Sequence, residues 1–215
     1  MKPGNDIWPQ SRTRLPLRPD LWAIAEMIPP GTRVLDIGCG DGALLEHLVR
    51  DKGVDGRGLE LIQQNVNSCV ARGLSVVQGD ADTDLGEYPS GIFDITILSQ
   101  TIQATRQPRH VLNELLRIGA RTIVSFPNFG HWRVRTSLLF RGRMPVTRSL
   151  DHNWYDTPNI HLCTIADFLA TARDTGAHIE SAMAIDGLGK TRNMKDGESR
   201  ANIFAEGAIF LLAKR

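Results

Sequence analysis

The chain has 215 residues, 41% hydrophobic and 23% charged, with 25 Lys and Arg against 24 Asp and Glu. A length near that of one domain and this balance exclude wholesale disorder and a second catalytic domain, and a net charge of +1 excludes a global field that would draw the chain onto nucleic acid or an anionic membrane. Three scattered cysteines, Cys39, Cys69 and Cys163, form neither a zinc pattern nor a disulfide framework, so a reducing cytoplasm is the expected location.

Residues 1–30 read as an N-terminal arm whose polar start, Met1 to Gln10, has no signal-peptide core, with Leu21 to Ile28 as a short helix. Residues 31–215 then follow as one domain. Short β-rich apolar runs come first at Arg33 to Ile37, then Gly56 to Glu60, Leu74 to Gln78, Phe93 to Leu98 and Arg121 to Phe126. Between them, apolar residues recur every three or four positions, as in Leu44, Leu45, Leu48 and Val49, or Val111, Leu112, Leu115 and Leu116. Strand and helix in alternation predict an α/β fold with a mostly parallel, doubly wound sheet, because parallel neighbours need crossover connections. An insertion at about residues 128–164 interrupts the rhythm after the fifth strand, and Thr164 caps a helix through Ala172. Ile179 to Ile185 and Ile203 to Leu212 read as two strands with only a polar loop, Asp186 to Asn202, between them, and so as an antiparallel pair. The last apolar run, Ala208 to Ala213, is far short of the ~20 residues of a membrane helix.

The first strand runs into Gly38, Gly40 and Gly42 before a helix opens near Ala43. Glycines there let a ligand approach the backbone at a positive helix N-terminus, and Glu60 closes the second strand where a carboxylate can accept both hydroxyls of a ribose. Charge selects the nucleotide. Asp36 and Asp41 bracket the glycines and would repel a pyrophosphate, whereas S-adenosylmethionine carries an ammonium, a sulfonium and no phosphate. NAD is disfavoured and the methyl donor favoured. Asp80, ending the third strand, can accept from an adenine amino group while the Ala81 N–H binds a ring nitrogen.

The strings LDIGCGDGALLEHL, GDAD, FPNFGHWRVR, RGRMPV, NWY and TPNIHLCT resemble the methionine biosynthesis protein MetW family, within the class I S-adenosylmethionine-dependent methyltransferase fold. The resemblance spans about Pro30 to Ala184 and implies a Rossmann-like sheet with an antiparallel last strand. It implies a pocket for S-adenosylmethionine or S-adenosylhomocysteine lined by Asp36, Gly38, Cys39, Gly40, Glu60, Leu61, Asp80, Ala81 and Ser99. It also implies a role in methionine biosynthesis beside the homoserine O-acyltransferase (MetX-type) that makes acetyl- or succinylhomoserine. The alternative is an independent small-molecule methyltransferase.

Catalytic groups are scarce. The segments after the fourth and fifth strands, Ser99 to Gln103 and Pro127 to His131, contain no Cys or carboxylate, which leaves His131 as a candidate base and Tyr155 as a second group to align an acceptor. His152, Trp154, Tyr155, Asn159 and His161 on the insertion read either as a lid over a pocket or, with Arg133, Arg135, Arg141 and Arg143, as a protein interface. The same segment contains Leu138, Leu139 and Phe140 at packing spacing, and acidic residues elsewhere balance the arginines, which favours a partner protein or a solvated helix face over RNA. A homo-oligomer is compatible with the sequence. His161 and Cys163 have no further ligand at metal spacing, so no metal is expected. Gly187 to Thr191 imitates a phosphate loop but has Ala184 where a glycine is required.

Overall fold

The computed structural model describes residues 17–147, 149–194 and 198–214, so the first sixteen residues of the N-terminal arm and Arg148 lie outside the described residues. The helices and strands follow in the order α1 (Pro19–Glu26), β1 (Arg33–Ile37), α2 (Ala43–Lys52), β2 (Asp55–Glu60), α3 (Gln63–Ala71), β3 (Ser75–Gln78), β4 (Phe93–Ser99), α4 (Pro108–Ile118) and β5 (Gly119–Pro127). After the fifth strand come α5 (Trp132–Arg141), α6 (Ile165–Asp174), β6 (Ala177–Ile185), β7 (Thr191–Asn193), α7 (Glu198–Phe204) and β8 (Gly207–Lys214).

The strands form one sheet in the order β3-β2-β1-β4-β5-β8-β6-β7. β1 to β5 pair in parallel, while β8 runs antiparallel between β5 and β6. Alternation along each strand divides the core between two faces. Leu35, Leu98, Val124 and Phe210 pack against α4 and α6, whereas Val34, Ile97, Ile123 and Ile209 pack against α1 and α2. The expected α/β architecture is therefore present, with helices covering both faces.

The region after β6 corrects one expectation. Ile203 and Phe204 do not begin the last strand, because Glu198–Phe204 is a helix, and the supposed polar loop also contains the edge strand Thr191–Asn193. β6 and β8 still pair antiparallel as expected. The helix hid because Ala201 and Ala205 are the small groups with which this segment meets the core, too little apolar surface to print a helical period. It is fixed instead by Asn128, whose Nδ2 donates to the carbonyls of Asn202 and Ala205 at 3.0 and 2.9 Å.

Strand order reverses between β1 and β4. Open parallel sheets leave a crevice at such a switch point, beyond the C-terminal strand ends, so the fold itself directs attention to the loop after β1.

Candidate functional site

β1 delivers Asp36 into the sheet and then turns through the glycine loop. The Gly38 N–H donates to the Leu59 carbonyl at 2.7 Å, which stitches the loop to β2. Gly38 has φ +69°, and a Cβ there would collide with the Thr101 side chain, so two constraints independently require glycine. Gly40 also has positive φ, but a Cβ there would meet nothing within 4 Å, which leaves room for a ligand against its Cα.

Glu60, buried at the end of β2, organises this loop. Its Oε2 accepts from the Gly40 N–H at 2.8 Å and its Oε1 from the Ile62 N–H at 3.0 Å. The Asn65 amide also donates to Oε1, at 3.4 Å, which leaves Oε2 with a free lone pair for a hydroxyl and Oε1 able to take a second hydroxyl in place of Asn65. Leu61 and Ile62 beside it are exposed and offer an apolar flank. Asp41 accepts from the Ala43 N–H at 3.1 Å, placing a carboxylate at the positive start of α2. Asp36 is buried, and burial, reinforced by the neighbouring Glu60 charge, pushes its carboxyl up to about 7. Burial likewise pushes the Cys39 thiol far up, which makes it an inert wall rather than a nucleophile.

Asp80 and Asp82 form the third side. The Asp80 carboxylate is met by the Arg106 guanidinium. Burial alone would raise Asp82, but the Arg106 and Gln107 N–H groups, both 2.8 Å away, bring its carboxyl below the usual range. The Ala81 N–H makes no hydrogen bond among the described residues. Ser99, ending β4, shares a hydrogen bond with Ser125 of β5 at 3.1 Å. Gln100 follows with φ +50°, the sole non-glycine residue with positive φ among the described residues, and its amide donates to Asp20 of α1 at 2.9 Å.

Structure thus gathers Asp36, Gly38, Cys39, Gly40, Glu60 and Leu61 at the ends of β1 and β2, with Asp80 and Ala81 beyond β3 and Ser99 on the β4 side. The candidate catalytic residues lie on the insertion. His131 is buried and caps α5, its Nδ1 accepting from the Arg133 N–H at 3.3 Å, and burial lowers its pKa so that the ring stays neutral. Tyr155 is 71% exposed and meets Trp154 edge-on. Arg106, Gln100 and Gln103 escaped the sequence reading as site residues. Gln103, buried on the turn after β4, accepts at its carbonyl from the Ile160 and His161 N–H groups at 2.9 and 3.0 Å, strapping the insertion to the site. No local pattern announces such pairings, since their partners lie far apart in sequence.

The donor set suits a nucleoside with a cationic tail. Room against the Gly40 Cα, a ribose-competent carboxylate, an unengaged Ala81 N–H and three acids bordering one loop favour positive charge and disfavour phosphate. Among the described residues, no helix is long and apolar enough to cross a membrane.

A family model described as methionine biosynthesis protein MetW matches residues 18–212. The bifunctional methionine biosynthesis protein MetXA/MetW of Rhodopirellula baltica is 37% identical over 161 residues, covering 70% of this chain but only 26% of that longer protein. Among solved structures, a possible histamine N-methyltransferase of Thermotoga maritima superposes with a TM-score of 0.65 at 16% identity, covering 91% of this chain and 87% of that one. The magnesium protoporphyrin IX methyltransferase of Synechocystis, solved with bound S-adenosylhomocysteine, gives 0.59 at 17% identity, covering 91% and 80%. At such identities these structures establish a shared fold.

Proposed function

Because this chain belongs to the MetW family of methionine biosynthesis proteins, we propose that it binds S-adenosylmethionine or S-adenosylhomocysteine at the loop after β1 and acts with a homoserine O-acyltransferase as its accessory or regulatory partner. The observation that carries the nucleotide half is the Glu60 carboxylate bonded to the Gly40 N–H, with room for a ligand against the Gly40 Cα. The partner half draws on a relative whose name joins MetXA and MetW in one polypeptide.

In this reading Glu60 accepts the ribose hydroxyls, the Ala81 N–H meets the adenine ring, and the glycine backbone carries the amino-acid tail past Asp36. The donor, when bound, supplies an electrophilic methyl group on a cationic sulfur. Asp36 is poised to ionise toward that charge, since a cation beside a buried carboxyl lowers the pH at which it loses its proton. Arg106 holds Asp80 in place, leaving the adenine end framed by an ion pair rather than a bare acid.

The partner surface falls on the insertion. Arg133 lies over the Trp132 ring at 5.5 Å, and Leu139 and Phe140 are 77% and 79% exposed on the same helix, a combination of cation, aromatic and apolar groups that protein interfaces favour. Copurification tests it: the acyltransferase is expected to follow the tagged chain and to be lost with Trp132→Ala and Arg133→Glu. Undiminished recovery with that variant removes the surface assignment, and failure to copurify with the unaltered chain removes the partnership.

A second reading, an independent small-molecule methyltransferase, is favoured by a cavity that adjoins Ser125, the hydrogen-bond partner of Ser99. Transfer of label from a methyl-labelled donor to a cell extract discriminates the two, because an accessory protein yields no labelled product.

A further inference from the structure

That cavity has a volume of about 270 Å³ at the C-terminal edge of the sheet. Its walls come from the start of α1, the turn after β4, the end of β5, the insertion and the β6–β7 turn, with Pro19 and Ile185 as apolar surface. The volume corresponds to roughly nine waters, which suits a ligand of amino-acid size.

The charge of the lining is one-sided. Among the described residues, Asp20, Asp151, Asp186 and Glu206 line the space against the guanidinium of Arg18. Two of these carboxylates are held in position before any ligand arrives. Asp20 accepts from Arg18 at 3.1 Å and from Gln100 at 2.9 Å, while Asp186 accepts from the Leu188 and Lys190 N–H groups, both at 2.9 Å. Glu206 has the Arg133 guanidinium 3.6 Å away, and Asp151 is largely exposed. A half-open pocket with excess negative charge attracts cations and repels phosphates, while Arg18 supplies one cation on its rim. No three His, Cys, Asp or Glu residues converge on a point that could hold a metal ion among the described residues, so the distribution suits an organic cation touched on several sides.

We infer that this cavity binds a small molecule bearing a protonated amine. The inference rests on the donor-site reading only for its position, one serine pair away from the methyl donor. Recognition of the amine is read from the cavity's own lining.

Calorimetry on the full chain tests it, with L-homoserine and L-methionine as probes, each against the α-hydroxy acid in which a hydroxyl replaces the amine, which keeps the size and loses the positive charge. At least one free amino acid is expected to bind roughly tenfold or more tightly than its hydroxy-acid form. Asp151→Asn, at an exposed position, combined with Glu206→Gln, is expected to weaken that binding roughly tenfold while S-adenosylhomocysteine, titrated in parallel, binds as before. No saturable binding of either amino acid, equal binding of the hydroxy acids, or indifference to Asp151→Asn alone and to the pair overturns the inference. Loss of S-adenosylhomocysteine binding by the unaltered chain would instead overturn the donor site and leave the amine result to stand on its own.

Discussion

The two ends of the candidate site are built in opposite ways. Around the glycine loop, each polar group is tied to backbone: Gly38 to Leu59, Gly40 to Glu60, Ala43 to Asp41. On the insertion, Leu139, Phe140, Trp154 and Tyr155 stand largely in solvent, over a small cluster of Phe129, Val134 and Leu150, with Gln103 as a strap to the site. The first region is held in one arrangement by these bonds, as the proposed binding of a small ligand there would require. The second presents apolar and cationic surface whose burial requires something else. Substitutions should therefore damage folding and nucleotide binding together at the loop, and partner binding alone on the insertion.

The largest effect is expected at Gly38. Gly38→Val combines a positive φ with a collision against Thr101, and should cost about 3 kcal/mol or more in urea unfolding as well as abolish S-adenosylhomocysteine binding. An unaltered midpoint would mean that the loop is not held as described. Glu60→Gln comes next: it keeps the shape but removes charge from an acceptor that serves the Gly40 and Ile62 N–H groups and the Asn65 amide, and should weaken S-adenosylhomocysteine by roughly 10- to 100-fold in calorimetry.

Asp36→Asn separates stability from recognition. The folded protein holds the Asp36 carboxyl up at about 7, above its ordinary value of 3.8, so the protonated form is the stabilised one. That stability is fully present below the ordinary value and is lost as pH rises toward 7. Asn, which never ionises, should therefore make the protein more stable than the unaltered chain at pH 8, by an amount that shrinks as pH falls through 7 toward 4. The preference for the cationic donor over S-adenosylhomocysteine should meanwhile fall. Thermal melts across pH and paired titrations check both, and parallel melting curves for the two proteins would contradict the placement of the acid. The smallest effect belongs to Leu139→Ser with Phe140→Ser, which should change stability by no more than about 0.5 kcal/mol and leave nucleotide binding intact.

The same contrast governs how much could be read from sequence. β1, the glycine turn and Glu60 were legible because strand period, turn residues and a terminal acid lie within one short βαβ unit, where local rules act. The parallel sheet followed from alternation. α7 was missed because Ala201 and Ala205 bury too little to show a period, and its anchor, Asn128, is more than seventy positions away. Arg106 facing Asp80, and Gln100 reaching Asp20, are likewise pairings across the fold that no spacing rule reveals. His131 adds a structural role that its residue type does not announce: besides being the candidate base, it is a buried cap of α5.

Acids around the loop after β1 are expected to favour a positively charged sulfur nucleoside over a dinucleotide. Calorimetric titration of the purified chain with S-adenosylmethionine, S-adenosylhomocysteine and NAD is the direct check. Saturable binding of the first two, abolished in Gly38→Val, and none of the third is the expected result. Heat from NAD with silence from the sulfur compounds would overturn that selectivity.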